Sequence, residues 1–151
     1  MQIEIGYPLK PIALRRYFPS RTFTLYQGLD PAQCRAVIEH FDRDGHRSQG
    51  QVYRQATGYR IQMYPQGQGY FRWHADSTGR SVQSRVVAMI PYLNDVAEGG
   101  ETEFFHQGLK VAPRAGHLLL FPAGWNYMHC GQVPVSGDKY IVQTFVKIKD
   151  A

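Results

Sequence analysis

The chain has 151 residues, with 17 Lys and Arg against 12 Asp and Glu and a formal net charge of +5. That length is the size of one domain with room for a sizeable core, and no repeat, low-complexity tract or linker divides it, so residues 1–151 are expected to form a single domain. No aliphatic stretch is long enough to span a membrane, and the N-terminal segment with Glu4, Lys10, Arg15 and Arg16 lacks the apolar core of a secretory signal, which makes the cytoplasm the expected location. The positive charge suits solubility and the approach of anionic ligands; with no recognition helix or nucleic-acid module beside it, no nucleic-acid partner is expected, and the oligomeric state is left open.

Taken in chain order, Arg21 to Tyr26 alternates as a strand does. Asp30-Pro31 then reads as the N-cap and first residue of a helix, with Cys34, Val37, Ile38 and Phe41 recurring at helical spacing until Asp44-Gly45 ends it. The polar, turn-rich stretch Gly45 to Gly58, carrying Arg47, Tyr53 and Arg54, reads as a mobile substrate loop or an ordinary surface connection. From there on nearly everything reads as short strands: Tyr59 to Tyr64, Tyr70 to Asp76, Arg85 to Leu93, Thr102 to Phe105, Leu109 to Val111, His117 to Phe121, Tyr127 to His129 and Lys139 to Lys147. Many short strands around a pocket with one covering helix fit a mainly β double-stranded β-helix, or jelly roll.

Within that pattern His74-x-Asp76, His129 and Lys139 supply three metal ligands and a cation. In Trp73-His74-Ala75-Asp76 the two ligands sit at i and i+2, where strand alternation puts them on one face, and a distant His129 completes a 2-His-1-carboxylate set with coordination positions left open. The set reads as a mononuclear iron site. Cys34 in the helix and Cys130 beside His129 are expected to be reduced thiols, with Cys130 pointing away from the metal if His129 points toward it. Of the other histidines, His40 and His46 should face solvent and His106 should sit in a loop. His117 is the rival third ligand, but no Lys follows it by ten residues as Lys139 follows His129.

From about Tyr64 to Val146 the chain resembles the prolyl 4-hydroxylase-like branch of the 2-oxoglutarate- and Fe(II)-dependent dioxygenases. The resemblance is carried in order by Tyr64, His74, Asp76, Arg85, Tyr92, the segment Gly99 to Phe104, His129 and Lys139. It implies a metal and cosubstrate core at about residues 59–148, with His74, Asp76 and His129 as metal ligands. Lys139 would pair with the distal carboxylate of 2-oxoglutarate, Tyr64 or Tyr92 would add a hydroxyl hydrogen bond, and Arg85 and Phe145 would lie near the substrate. The implied cofactors are Fe(II), 2-oxoglutarate as cosubstrate and molecular oxygen. The implied reaction hydroxylates an unactivated C–H bond, with release of succinate and CO2, and the presence of Asp76 favours hydroxylation over halogenation.

A prolyl residue in a peptide or protein is the substrate the resemblance points to. A free amino acid or small metabolite is the alternative, followed by a nucleic-acid dealkylating oxygenase and a non-enzymatic binding module on the same fold. The dealkylating relatives usually anchor 2-oxoglutarate with arginine where this chain has Lys139. Departures from the family pattern are Trp73 in place of a proline and Phe145 in place of a tryptophan.

Overall fold

The computed structural model describes residues 24–43, 54–56, 59–69 and 71–148. Ten strands and one α-helix are present among them. Strands β1 (Thr24–Gln27), β2 (Arg54–Ala56), β3 (Tyr59–Tyr64), β5 (Arg85–Pro91), β8 (His117–Pro122) and β10 (Lys139–Lys147) form a sheet in the order β1-β8-β5-β10-β3-β2. A second sheet has the order β4-β9-β6-β7, from β4 (Phe71–His74), β9 (His129–Gly131), β6 (Thr102–Phe104) and β7 (Leu109–Val111). All pairings are antiparallel. The jelly-roll class, which the strand pattern fits and the family resemblance implies, is the fold observed.

The two faces of the larger sheet do different work. Directly opposed residues of an antiparallel pair share a face. Tyr64 faces Lys139, Gln62 faces Ile141 and Arg60 faces Gln143 on one side of β3 and β10, while Ile61 and Val142 turn to the other. The first side meets the smaller sheet, and Tyr64, Ala88, Ile90, Tyr92, Leu119, Phe121 and Ile141 pack there with Phe104 and Val111. Helix α1 (Pro31–Arg43) covers the second side, where Cys34 and Phe41 pack with Leu29, Ile61, Leu93 and Val142. The helix thus seals the back of the sheet and leaves the inner face to the site.

The start of α1 follows the sequence reading closely. Asp30 Oδ1 accepts the backbone N–H of Ala32 at 2.8 Å and of Gln33 at 2.9 Å, and Gln33 Oε1 accepts the N–H of Asp30 at 3.1 Å. That is a reciprocal capping box with aspartate in the capping place. The expected end at Asp44-Gly45, residues 21–23 of the first expected strand, and His46 lie outside the described residues. So does most of 45–58, of which Arg54–Ala56 is a strand paired with β3 rather than loop.

Three strand expectations are corrected. Strand β4 stops at His74, so Asp76 reaches the site from a turn and not from strand alternation. The reason lies in the turn's anchors: Ser77 donates from its N–H and its Oγ to the Ala123 carbonyl, and Arg85 donates to the Asp76 carbonyl at 3.1 Å. Likewise Tyr127 is not in a strand. Trp125–Tyr127 forms a 3-10 turn, closed by the Tyr127 N–H on the Gly124 carbonyl, and β9 begins only at His129. The strand expected over Arg85 to Leu93 ends at Pro91, with Tyr92 continuing as an isolated bridge to Ile141.

Replacing Asp30 by Ala should lower unfolding stability by about 1 kcal/mol through loss of the cap. Urea unfolding would measure this, and the midpoint should fall with the slope unchanged.

Candidate metal centre

The imidazoles are brought together by strand pairing. His74 of β4 and His129 of β9 are directly opposed across an irregular register, with ring centroids 4.3 Å apart. Each ring is held by a main-chain carbonyl two residues earlier: His74 Nδ1 lies 2.8 Å from the Arg72 oxygen and His129 Nδ1 lies 2.9 Å from the Tyr127 oxygen. A carbonyl can only accept, so both rings carry their proton on Nδ1 and offer the Nε2 lone pair. The 3-10 turn that interrupts the expected strand is what supplies the Tyr127 carbonyl.

Asp76 meets those lone pairs. Its Oδ1 lies 3.5 Å from His74 Nε2 and its Oδ2 lies 3.6 Å from His129 Nε2. One ligand atom from each of the three residues lies within 4.8 Å of the others, close enough to share one ion. Asp76 and His129 are 4% and 3% exposed, and Oδ2 has no hydrogen-bond donor. Burial against Phe104 and Phe121, whose ring centroids lie 5.6 and 4.7 Å from that of His129, pushes this imidazole down to about 4. Two imidazoles that turn Nε2 inward and a buried carboxylate with one oxygen lacking a donor form a set that fits a divalent cation, and two nitrogens with one carboxylate suit iron.

From this set a cleft runs between the sheets past Gln143, Ile141, Gln62 and Tyr64 to Lys139. Lys139 is 1% exposed, and burial pushes its amine down to about 8. Its Nζ donates to the Gly100 carbonyl at 2.6 Å and sits 4.7 Å from the Tyr64 ring centroid and 6.0 Å from that of Tyr92. The Gly99-Gly100 turn sets that carbonyl. Both glycines have positive φ (73° and 71°), and a Cβ on Gly99 would collide with the Val133 carbonyl oxygen.

The hydroxyls around the amine are engaged with one another. Tyr92 Oη and Thr102 Oγ1 are 2.7 Å apart, and Tyr64 donates to Gln62 Oε1 at 3.2 Å. Nearer the metal ligands, Gln143 Nε2 lies 3.5 Å from Asp76 Oδ1. Arg85 stands over the Phe145 ring at 3.9 Å while it holds the Asp76 carbonyl, so these two expected substrate residues touch each other beside a ligand.

The remaining sequence candidates are found elsewhere. His117 starts β8 opposite Gln27, under the electrostatic influence of Asp95 and Arg114, and belongs to no metal-ligand group among the described residues. His40 and His106 are exposed. Cys130 is opposite Glu103 on β6 and accepts from Gln132, off the face that carries His129; Cys34 and Cys130 are both free. Sequence reasoning missed Gln62, Thr102 and Gln143 as cleft residues. Alternation could have found Gln62 and Gln143, since Gln62 is two before Tyr64 and Gln143 is four after Lys139 on the same strand faces.

This combination of jelly roll, two histidines, one aspartate and a buried lysine at the far end of the cleft is that of the 2-oxoglutarate/iron oxygenases. The model of the 2OG-Fe(II) oxygenase superfamily matches residues 59–147, more than half of the chain, and the chain belongs to that superfamily. Its cofactor is Fe(II) and its cosubstrate 2-oxoglutarate, and the donor set described above fits the first.

Among its relatives is Prolyl 4-hydroxylase 13 of Arabidopsis thaliana, 27% identical over 187 aligned positions that take in 96% of this chain and 65% of that protein. The chain therefore spans about two thirds of the length of that relative. Among solved structures, the viral collagen prolyl hydroxylase of Paramecium bursaria Chlorella virus-1, in complex with 2OG, superposes with a TM-score of 0.69 at 18% identity, covering 87% of this chain and 98% of that one. A prolyl hydroxylase of Trichoplax adhaerens, in complex with a hypoxia inducible factor oxygen degradation domain peptide, reaches 0.52 at 21% identity and covers 76% and 55%. At these identities the two structures speak for a common fold. No helix among the described residues is long and apolar enough to cross a membrane.

A divalent ion that binds only the folded chain should stabilise it, by about 2.7 kcal/mol at one hundred times its dissociation constant. Thermal unfolding under anaerobic Fe(II) should rise accordingly, and Asp76→Ala should remove the increment while leaving the metal-free chain folded.

Proposed function

We propose that the chain is a 2-oxoglutarate- and Fe(II)-dependent dioxygenase that hydroxylates a prolyl residue of a peptide or protein, with O2 consumed and succinate and CO2 released. One observation carries the reading. Two imidazoles and a carboxylate converge at one end of a cleft whose other end is occupied by a lysine that is 1% exposed and has no carboxylate among its hydrogen-bond partners. A buried ammonium is costly by itself and finds its counterion in a dianionic cosubstrate.

In this reading His74, Asp76 and His129 hold Fe(II), which when bound supplies the redox chemistry that couples decarboxylation of the cosubstrate to hydroxylation. Lys139 takes the far carboxylate, with the Tyr64 and Tyr92 rings flanking the amine and excluding water. Arg85 and Phe145 act at the mouth. The guanidinium is already fixed by an aromatic face and the Asp76 carbonyl, so its remaining N–H groups are available to a substrate carbonyl or carboxylate. A peptide as substrate is supported by what the relatives are named for: a prolyl 4-hydroxylase, a collagen prolyl hydroxylase and a prolyl hydroxylase solved with a peptide. The two buried free thiols agree with a reducing compartment, which supports the cytoplasm.

Anaerobic titration with Fe(II) and 2-oxoglutarate, followed by turnover of proline-containing peptides, tests the reading. A saturable visible charge-transfer band at one equivalent and hydroxyproline in the product are expected; a folded chain with no band would overturn it. Lys139→Ala should weaken cosubstrate binding by about 3–5 kcal/mol with Fe(II) affinity unchanged, because it leaves a carboxylate buried and unpaired.

The pH dependence has a defined sign. Pairing with the carboxylate requires the charged amine, and the unliganded amine sits at about 8. Below that value Lys139 is already protonated and affinity is flat. Above it a proton must be taken up on binding, so the 2-oxoglutarate dissociation constant should rise by up to about tenfold per pH unit. Lys139→Ala should abolish that slope.

A further inference from the structure

The inner face of β3 carries a polar side chain that none of the roles above uses. Gln62 is 3% exposed, lines the cleft, and lies opposite Ile141, midway between the Lys139–Tyr64 and Gln143–Arg60 pairs of the same sheet face. Its Oε1 accepts the Tyr64 hydroxyl at 3.2 Å. Its amide nitrogen donates to no described residue and stays accessible from the cleft that Gln62 lines. A glutamine held by its oxygen in this way has a fixed orientation, with two N–H donors directed where a ligand would lie.

The surrounding donors sharpen the point. The Tyr64 hydroxyl hydrogen is taken by Gln62, and one hydrogen of the Tyr92–Thr102 pair is shared between those two oxygens. Lys139 spends one of its three N–H donors on the Gly100 carbonyl. A carboxylate at this end has about four lone-pair sites to satisfy. Gln62, joined to Tyr64 whose ring underlies the lysine amine, is placed to supply the next of them.

We propose that Gln62 is a cosubstrate-specificity residue: its side-chain amide donates to the far carboxylate of 2-oxoglutarate, beside Lys139. The proposal rests on the oxygenase reading of the cleft. It adds a neutral donor whose effect depends on the carboxylate being present, and it makes Tyr64 a residue that orients Gln62 as well as a wall of the pocket. Burial of the contact makes it strong, since a hydrogen bond to a charged group out of water is worth more than an exposed one.

The test uses the full chain loaded anaerobically with Fe(II), reading the charge-transfer band against cosubstrate concentration. Gln62→Met keeps the length and removes the donors; it should raise the 2-oxoglutarate dissociation constant about 10- to 100-fold. Fe(II) affinity should stay within about twofold, as no metal ligand is touched. 2-Oxopentanoate, which keeps the keto acid and lacks the far carboxylate, should bind the variant and the unsubstituted chain alike. Gln62→Glu, which keeps the shape and adds a negative charge, should lose more 2-oxoglutarate affinity than Gln62→Met.

A role exerted only through Tyr64 is separated by Tyr64→Phe, which removes the hydroxyl and keeps the amide; the Gln62→Met loss should persist in that background. The inference is overturned if Gln62→Met binds 2-oxoglutarate normally, if 2-oxopentanoate loses affinity to the same extent, or if the loss vanishes beside Tyr64→Phe. No band from the unsubstituted chain overturns the oxygenase reading, and this inference with it. A normal band there, with normal bands from both Gln62 variants, overturns this inference alone.

Discussion

The Asp76 carboxylate is the constraint around which the site is built. It is 4% exposed, it has an oxygen without a hydrogen-bond donor, and it stands between two imidazole nitrogens whose protons are on the far side of each ring. Three acceptors that face one another across less than 5 Å repel, and burial makes the repulsion worse. A divalent cation turns the same arrangement favourable. Everything nearby holds the acceptors in place: the Ala123 and Tyr127 carbonyls, the Arg85 guanidinium on the Asp76 carbonyl, and the walls formed by Phe104 and Phe121.

The other end of the cleft carries the opposite imbalance. Lys139 is a charge held against aromatic rings and one carbonyl; burial pushes it down to about 8 although the Glu101 charge favours the protonated amine. Acceptors at one end and a cation at the other match a metal ion and a dianion bound together. Either end alone would be a defect in the core. Together they give one cleft an axis.

That axis is a consequence of the jelly roll. Lys139, Ile141 and Gln143 project from alternate positions of β10, and Tyr64, Gln62 and Arg60 oppose them from β3, so a ladder of side chains runs along the inner face. The smaller sheet closes over this ladder and contributes both histidines. Helix α1 has no residue in the cleft; its work is to bury the opposite face of the strands that form the cleft floor.

Much of this was legible in the residues alone. The helix start could be read because capping is local: Asp30, Pro31 and Gln33 act within one turn. Strands β3, β7 and β10 were read with their observed bounds, since alternation is a property of a few adjacent residues. That His74, Asp76 and His129 come together was legible from order and spacing, while the role expected of Lys139 came from the family resemblance. What lay beyond the sequence depended on partners far along the chain. Strand β4 ends at His74 because Ala123 and Arg85 capture the turn that follows, and no local signal in Trp73-His74-Ala75-Asp76 announces contacts 46 and 9 residues away. The Trp125–Tyr127 turn, which aims the carbonyl that sets the His129 tautomer, was hidden for a similar reason. Sequence by itself determined which chemical groups the chain possesses and which strand faces they occupy, because both follow from residue type and a two-residue period. Only the tertiary structure decided which of those groups meet, which carbonyl holds each imidazole, and that Gln62 opens into the cleft, because each of these depends on distances across sheets that no spacing along the chain encodes.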